Sequence, residues 1–509
     1  MNKIIISCLL ALSIFFCSCN ENIIDLVPIG NTEGIFFENE EQMDMAVFAM
    51  YQKLCWFYIY LGAQDSHVTP TYLLPGDDLT TPQVTGCENF VQLNDGNNHT
   101  RKYYQFAYQL IARANVILQK IEANGSFAFQ AKPEQKNWNK GEALFMRAYM
   151  HMNLWHLFGT APKAMERIEE NLMNAYLPNT VGTELLDIAI EDLEEAAKLL
   201  PASWVPEFAG RVTRNSALGL RGKALMFRGT VNKSNADFTA ALADFNAIQG
   251  RSLTTVYGDN FEPDTENNVE SLFEYQANSQ SVMTNVWLTN DDFSVIGDIS
   301  HYTGFYNIRP NWIGNWYYRA TVPLQKAYED GDPRKTYNID VSGADKTNVL
   351  KYLHKVVYCS GAESNGASTT NPRILRYADI LLLKAEAIVR TGGNLSEAIG
   401  LINQVRTRAR NSTEDGVPST VPADRSVSET NSSTVMEWIF LERRLELAFE
   451  EGHRWWDLRR RHIAGEIDLK TLDFGSENAN FKFSDHNIYF PLPASEIDDN
   501  PLLKQNLGY

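Results

Sequence analysis

Apolar residues recur at helical spacing along most of this chain, and the segments that carry them come in pairs. No other feature limits the fold as much. Met43, Ala46, Val47, Met50 and Leu54 form one such stripe within residues 37–57. Further helical patterns cover Arg101–Ala123, Pro133–Gly159, Thr183–Leu200, Arg214–Gly229 and Ala236–Ile248. After a long interval, "PRILRYADILLLKAEAIVRTGG" and "NLSEAIGLINQVRTRAR" form another pair, and a last helix runs from about Ser433 to Gly452. Pro133 suits a first turn, Gly159 a C-cap and Thr183 an N-cap, and Pro201 stops the helix before it. Small residues (Ala143, Ala148, Ala217, Gly222, Ala385, Ala387, Ala398) stand where partner helices would cross. The pattern predicts an all-α-dominated chain of tetratricopeptide-type helix pairs, over about 101–250 and 371–450, each burying its face by stacking on the next.

Three intervals break the helical period. Residues 61–98 are punctuated by Pro70, Pro75, Gly76, Pro82 and Gly86. Residues 253–358 are rich in Asn, Asp, Gly, Ser and aromatics, and residues 411–433 are polar. Long loops on a helical scaffold suit a binding protein, because the scaffold positions loops that are free to vary.

The N-terminus has the shape of an export signal over residues 1–18. Lys3 supplies the positive charge, and Ile4–Phe16 is an apolar run too short to span a bilayer. Lipoprotein processing requires a small residue before the acylated cysteine. Cys19 follows Ser18, whereas Cys17 follows Phe16, so Cys19 is the expected attachment point for lipid and Cys17 leaves with the signal. Acyl chains at about 0.8 kcal/mol per buried CH₂ anchor a chain stably without a membrane-spanning helix. The mature chain, 19–509, is expected to be one helical domain. Cys55, Cys87 and Cys359 are widely spaced and are expected to be mostly buried free thiols, although a disulfide between two of them stays open.

With 63 acidic against 45 basic residues, the net charge of −18 argues against nucleic acid as a partner. There is no HExxH helix, no GxSxG elbow and no CxxC pair. "ALGLRGKA" departs from a phosphate loop at Ala217 and Ala224. His151 and His156, five apart, fall on different faces of one helix and are expected to be packing residues. No metal or cofactor is expected.

Aromatic residues concentrate in one place. Residues 281–318 hold nine, against about four at the chain's average of 11%, so the cluster calls for an explanation. Flat rings beside amides and charges suit sugars, whose C–H faces stack on rings and whose hydroxyls need paired donors and acceptors. The candidate glycan contacts are Trp287, Tyr302, Tyr306, Trp312 and Trp316, with Arg309 and Asn311 beside them. About half of such rings are expected to pack the loop onto the helices. Asp77 and Asp78, in the earlier loop, are weaker candidates. In "FLERRLELAFEEGHRWWDLRRRH" the arginines are expected to stack on tryptophans and pair with Glu446, Glu450 or Asp457, a structural knot rather than a site.

Four strings in this order resemble the SusD/RagB-type outer-membrane lipoproteins: "EALFMRAYMHMNLWHLFGTAP", "RILRYADILLLKAEA", "ERRLELAFEEGHRWWDLRR" and the ending "YFPLPASEIDDNPLLKQNLGY". Two departures are Leu507, where the family pattern has proline, and an extra Glu451 before Gly452. The resemblance implies a non-catalytic surface lipoprotein, lipid-anchored in the outer membrane. It would capture a poly- or oligosaccharide for a SusC-like TonB-dependent β-barrel transporter. It also favours Trp312 and Trp316, since "NWIGNWYYRATVPLQKAYEDGDPR" is similar to a glycine-tryptophan loop of that family. Two other function classes stay open at this stage: a structural lid of a transporter with little ligand binding of its own, and a glycoside hydrolase, for which no positive sign exists.

Overall fold

The computed structural model describes residues 36–58, 67–82, 85–167, 176–277, 300, 302–306, 318–341, 347–356, 368–478 and 480–509. Ten longer helices carry the fold among these residues: α1 (Glu40–Gln52), α2 (Asn98–Ala128), α3 (Pro133–Phe158), α4 (Glu184–Leu199), α5 (Arg214–Asn232), α6 (Asn235–Ala247), α7 (Tyr377–Arg390), α8 (Leu395–Asn411), α9 (Ser432–Glu446) and α10 (His453–Ile463). Successive helices pack on one another from α2 to α6. Helix α7 then packs on α6 and on its own partners α8 and α9, as expected of stacked helix pairs.

Local chemistry explains most boundaries. Asn97 accepts from the Thr100 amide at the start of α2, and Thr213 and Ser216 cap α5 reciprocally. Gly159 ends α3 with φ +73°, and a Cβ there would lie 2.2 Å from the Tyr489 ring, so only glycine serves. Thr183 does precede α4, but its side chain does not cap; it accepts instead from Asn232 Nδ2 at 3.0 Å. The segment expected as one helix from Ser433 to Gly452 stops at Glu446. Side chains occupy the carbonyls that would continue it: Arg376 and Tyr257 on Glu446, and Lys351 on Ala448.

The main apolar core runs through α1 to α6 and the C-terminal segment, and a second cluster sits between α7, α8 and α9. Between Gly250 and Arg373 the described elements are short. Strand β2 (Ser271–Glu274) pairs antiparallel with β4 (Arg373–Arg376), and β1 (Leu79–Thr80) pairs with β3 (Arg319–Ala320). Thus both irregular intervals are stitched together by one ladder, and the second is stitched to the start of α7 by the other. Cys55 and Cys87 are both buried; Cys17, Cys19 and Cys359 lie outside the described residues. His151 and His156 are buried on α3, with His156 stacked on Trp456 at 4.5 Å. No described helix is long and apolar enough to cross a membrane.

Candidate functional site

Segments 59–66, 278–299, 307–317 and 357–367 lie outside the described residues, yet the residues that flank them meet on one aromatic base. Tyr58 stacks on Tyr275 at 4.9 Å and stands 6.0 Å from Tyr302. His67 stacks on Phe305 at 4.7 Å, and Phe305 stacks on Tyr318 at 5.6 Å. The Tyr318 amide donates to Phe305 O at 2.7 Å, and its hydroxyl lies 2.8 Å from Thr69 Oγ1. Ser300 and Ser368 exchange backbone hydrogen bonds, and Thr303 donates to the Ser368 hydroxyl at 2.8 Å. Residues bordering all four segments therefore meet in one small area.

Five sequence candidates, Trp287, Arg309, Asn311, Trp312 and Trp316, fall in two of these segments, outside the described residues. Tyr302 and Tyr306 are described, and they are not open to ligand. They are 1% and 0% exposed, in a short 3₁₀ turn (Tyr302–Tyr306), and both pack on Tyr352. Their hydroxyls and that of Tyr352 donate to Phe449 O at 2.9, 3.0 and 3.3 Å. A ring enclosed by other rings cannot stack on a sugar arriving from solvent, so these two tyrosines belong to the buried base and not to a glycan-contacting surface.

Asp77 and Asp78 are corrected in the same way. Both are buried. Asp77 accepts from Arg454 at 2.6 and 3.0 Å and lies 3.0 Å from Arg444, which also donates to Asp78 at 2.8 Å. Burial pushes the Asp77 carboxyl up, but the two guanidiniums outweigh it and hold the group below the usual range. For Asp78 burial wins over Arg444 and the group is raised. Thr321 closes this latch, its amide bonding to Asp78 O at 3.0 Å and its hydroxyl to Asp77 O at 2.6 Å. The pair pins the first loop to the C-terminal signature and to β3.

Beneath the base lies the charged knot. Arg376 bonds Glu270, Glu446 and Glu450, each at 2.7 Å; Arg334 bonds Asp332, Glu442 and Glu446; Lys351 bonds Glu450 at 2.6 Å. Arg408 joins Glu270 and Glu446. Arg443 and Arg460 bond Asp457, and Arg459 lies over the Trp155 ring at 4.5 Å. Burial would push Glu270 up, but Arg408 and Arg376 hold it down to about 2. The signature string therefore lies in a structural knot, with Asp457 paired to the string's own Arg443 and Arg460, whereas Glu446 and Glu450 are held by cations from outside the string. Sequence reasoning missed its partners Arg334, Lys351 and Arg376, which come from distant stretches of chain. It also missed Tyr352, a lone ring with no local signal.

Comparison with known proteins gives a consistent picture. The model described as the SusD family matches residues 255–509, and one described as "Starch-binding associating with outer membrane" matches residues 40–230. The SusD-like protein P38 of Formosa agariphila is 27% identical over 438 residues, covering 79% of this chain and 78% of that protein. A SusD homologue from Bacteroides thetaiotaomicron superposes with a TM-score of 0.76 at 18% identity, covering 94% of this chain and 99% of the other. Surface glycan-binding protein A of the same organism, solved in complex with laminarihexaose, gives a TM-score of 0.70 at 19% identity, covering 92% and 99%. At these identities the two structures establish the fold.

Proposed function

Since the chain belongs to the SusD/RagB family, we propose that it is a non-catalytic lipoprotein that binds a poly- or oligosaccharide at the outer membrane. It would hand this ligand to a SusC-like TonB-dependent β-barrel transporter for uptake. One observation of this chain supports the glycan-binding part: described residues bordering four segments meet on a single aromatic base, and two of those segments contain Trp287, Arg309, Asn311, Trp312 and Trp316 in the sequence. Rings together with hydrogen-bonding side chains are what the two demands of a sugar surface require. The likeness to a glycan-binding protein solved with laminarihexaose supports the same reading.

Titration of the soluble chain against a broad panel of polysaccharides, followed by assay for released oligosaccharides, tests this. Binding to at least one glycan without cleavage is the expected result; release of products would point to a hydrolase. Replacing Trp312 and Trp316 together with alanine is expected to weaken binding by roughly tenfold or more, on the order of 2 kcal/mol for two stacked rings, with unchanged helical circular dichroism. Full affinity in that variant would remove these two residues from the site. Anchoring is tested separately: Cys19→Ala is expected to move the protein from the membrane fraction to the soluble one. Co-purification of a β-barrel from native outer membrane tests the transporter partnership.

A further inference from the structure

The turn between α9 and α10 carries Glu451, one of the two departures from the family pattern. Phe449, Glu451 and Gly452 have φ of +70°, +41° and +70°, so two non-glycine residues hold the left-handed region within four positions. That conformation persists only where the surroundings impose it. Here it sets Glu451 into the lining of an interior cavity of about 30 Å³, together with Tyr58, Asn153, His156, Lys223 and His453. A cavity of that size has room for one or two water molecules and none for a sugar ring.

The polar atoms of the lining are incompletely satisfied. His453 and His156 are 3% and 2% exposed, and among the described residues His453 Nε2 and both ring nitrogens of His156 have no hydrogen-bond partner; nor does Glu451 Oε1. Groups this buried are normally paired. Lys223 Nζ lies 2.7 Å from His453 Nδ1 and can only donate, so Nδ1 is the acceptor and a neutral His453 carries its proton on Nε2. Neutrality follows from the surroundings: burial, then Lys223, hold His453 well below the usual histidine range, and burial followed by Arg459 and Lys223 does the same for His156. The lysine is itself balanced by Asp379 at 2.8 Å. Burial raises the Glu451 carboxyl and Glu450 adds like charge, while nearby Tyr58 and Lys223 oppose the rise. The other ionisable groups facing the chamber are the phenols of Tyr72, Tyr103 and Tyr149, neutral at any ordinary pH. The chamber thus offers a donor at His453 Nε2, an acceptor at Glu451 Oε1 and no net charge to attract an ion.

We propose that this chamber is a built water site, in which one or two water molecules accept from His453 Nε2–H, donate to Glu451 Oε1 and satisfy His156. The water would join the α9–α10 turn to α3, a link that direct side-chain hydrogen bonds do not supply among the described residues.

A crystal structure of the intact soluble chain, at a resolution that orders internal water, decides the point. The expected result is one or two isolated densities within hydrogen-bonding distance of His453 Nε2 and Glu451 Oε1. In solution, oxygen-17 relaxation dispersion of the same protein is expected to show long-lived internal water that His453→Phe reduces by one or two molecules. An empty cavity would overturn the proposal. So would an anomalous peak at this position after a rubidium soak, which would assign the chamber to a monovalent cation. Should His453→Phe fail to fold, the density in the unaltered protein still decides between water and an empty chamber.

Discussion

Two neighbouring regions meet at residues 448–451 and are held together by different forces. On one side, the Tyr302, Tyr306 and Tyr352 rings pack edge and face around a single acceptor, Phe449 O. On the other, Arg376 and Lys351 hold Glu450, and Arg376, Arg334 and Arg408 hold Glu446. The ring side is redundant, because three hydroxyls share one carbonyl and the loss of one leaves the others. The charged side is not, because each buried carboxylate was taken out of water on the strength of particular guanidiniums. The aromatic base can lose one donor and keep the others, whereas each cation lost from the charged side leaves a buried carboxylate short of a partner.

The sharpest way to break this contrast is to remove a charge. Arg376→Met leaves Glu270, Glu446 and Glu450 short of a partner and is expected to destabilise by about 5 kcal/mol, read from urea unfolding. Arg376→Lys should recover little, since a lysine cannot reproduce the forked contacts. A loss below about 1 kcal/mol for either variant would show that the knot is as redundant as the rings.

Glu451 sits between the two regions and should behave with the opposite sign. Burial raises its carboxyl from 4.5 to about 8. A carboxyl whose pKa is raised on folding contributes no penalty below pH 4.5. From there stability falls by about 1.4 kcal/mol per pH unit up to about pH 8, then levels off. Glu451→Gln removes that slope. The variant is expected to match the parent near pH 4.5 and to exceed it by on the order of 4 kcal/mol at about pH 9, measured by denaturation across pH. Parallel pH profiles would show that Glu451 ionises in the folded chain at its ordinary value.

The smallest effect belongs to the rings. Tyr306→Phe removes one of three donors to Phe449 O while keeping the packing, so about 1 kcal/mol or less is expected. Tyr302→Phe should behave alike, and the double variant should cost more than the sum, as the last donor becomes indispensable. An effect of several kcal/mol from Tyr306→Phe alone would erase the distinction between the two sides.

Features written into short stretches are legible in the residues themselves. Pro133 and Gly159 bound α3 as their backbone preferences require, and the knot's own glutamates and Asp457 are identifiable from the signature string. Features that depend on what the far chain brings are not. Tyr302 and Tyr306 read as exposed stacking rings because the same composition that suits a sugar also suits an aromatic base, and only burial tells the two apart. Asp77 and Asp78 read as loop acceptors because nothing near them in the chain names their partners. Arg444 lies 366 residues beyond Asp78, and Arg454 lies 377 beyond Asp77. Helix α9 reads as continuing to Gly452 because helical periodicity carries no record of the side chains that capture the carbonyls of Glu446 and Ala448.

By itself, then, the sequence determined the helix-pair scaffold, the positions of its interruptions and the membership of its motifs in one family. Those properties rest on interactions within a turn or two of helix, and periodicity and capping chemistry encode them directly. Tertiary structure alone decided which rings and carboxylates are available to a ligand and which are committed to the interior. Availability is a property of the packed chain: it depends on residues brought together across hundreds of positions, and a linear pattern of residue types holds no measure of that distance.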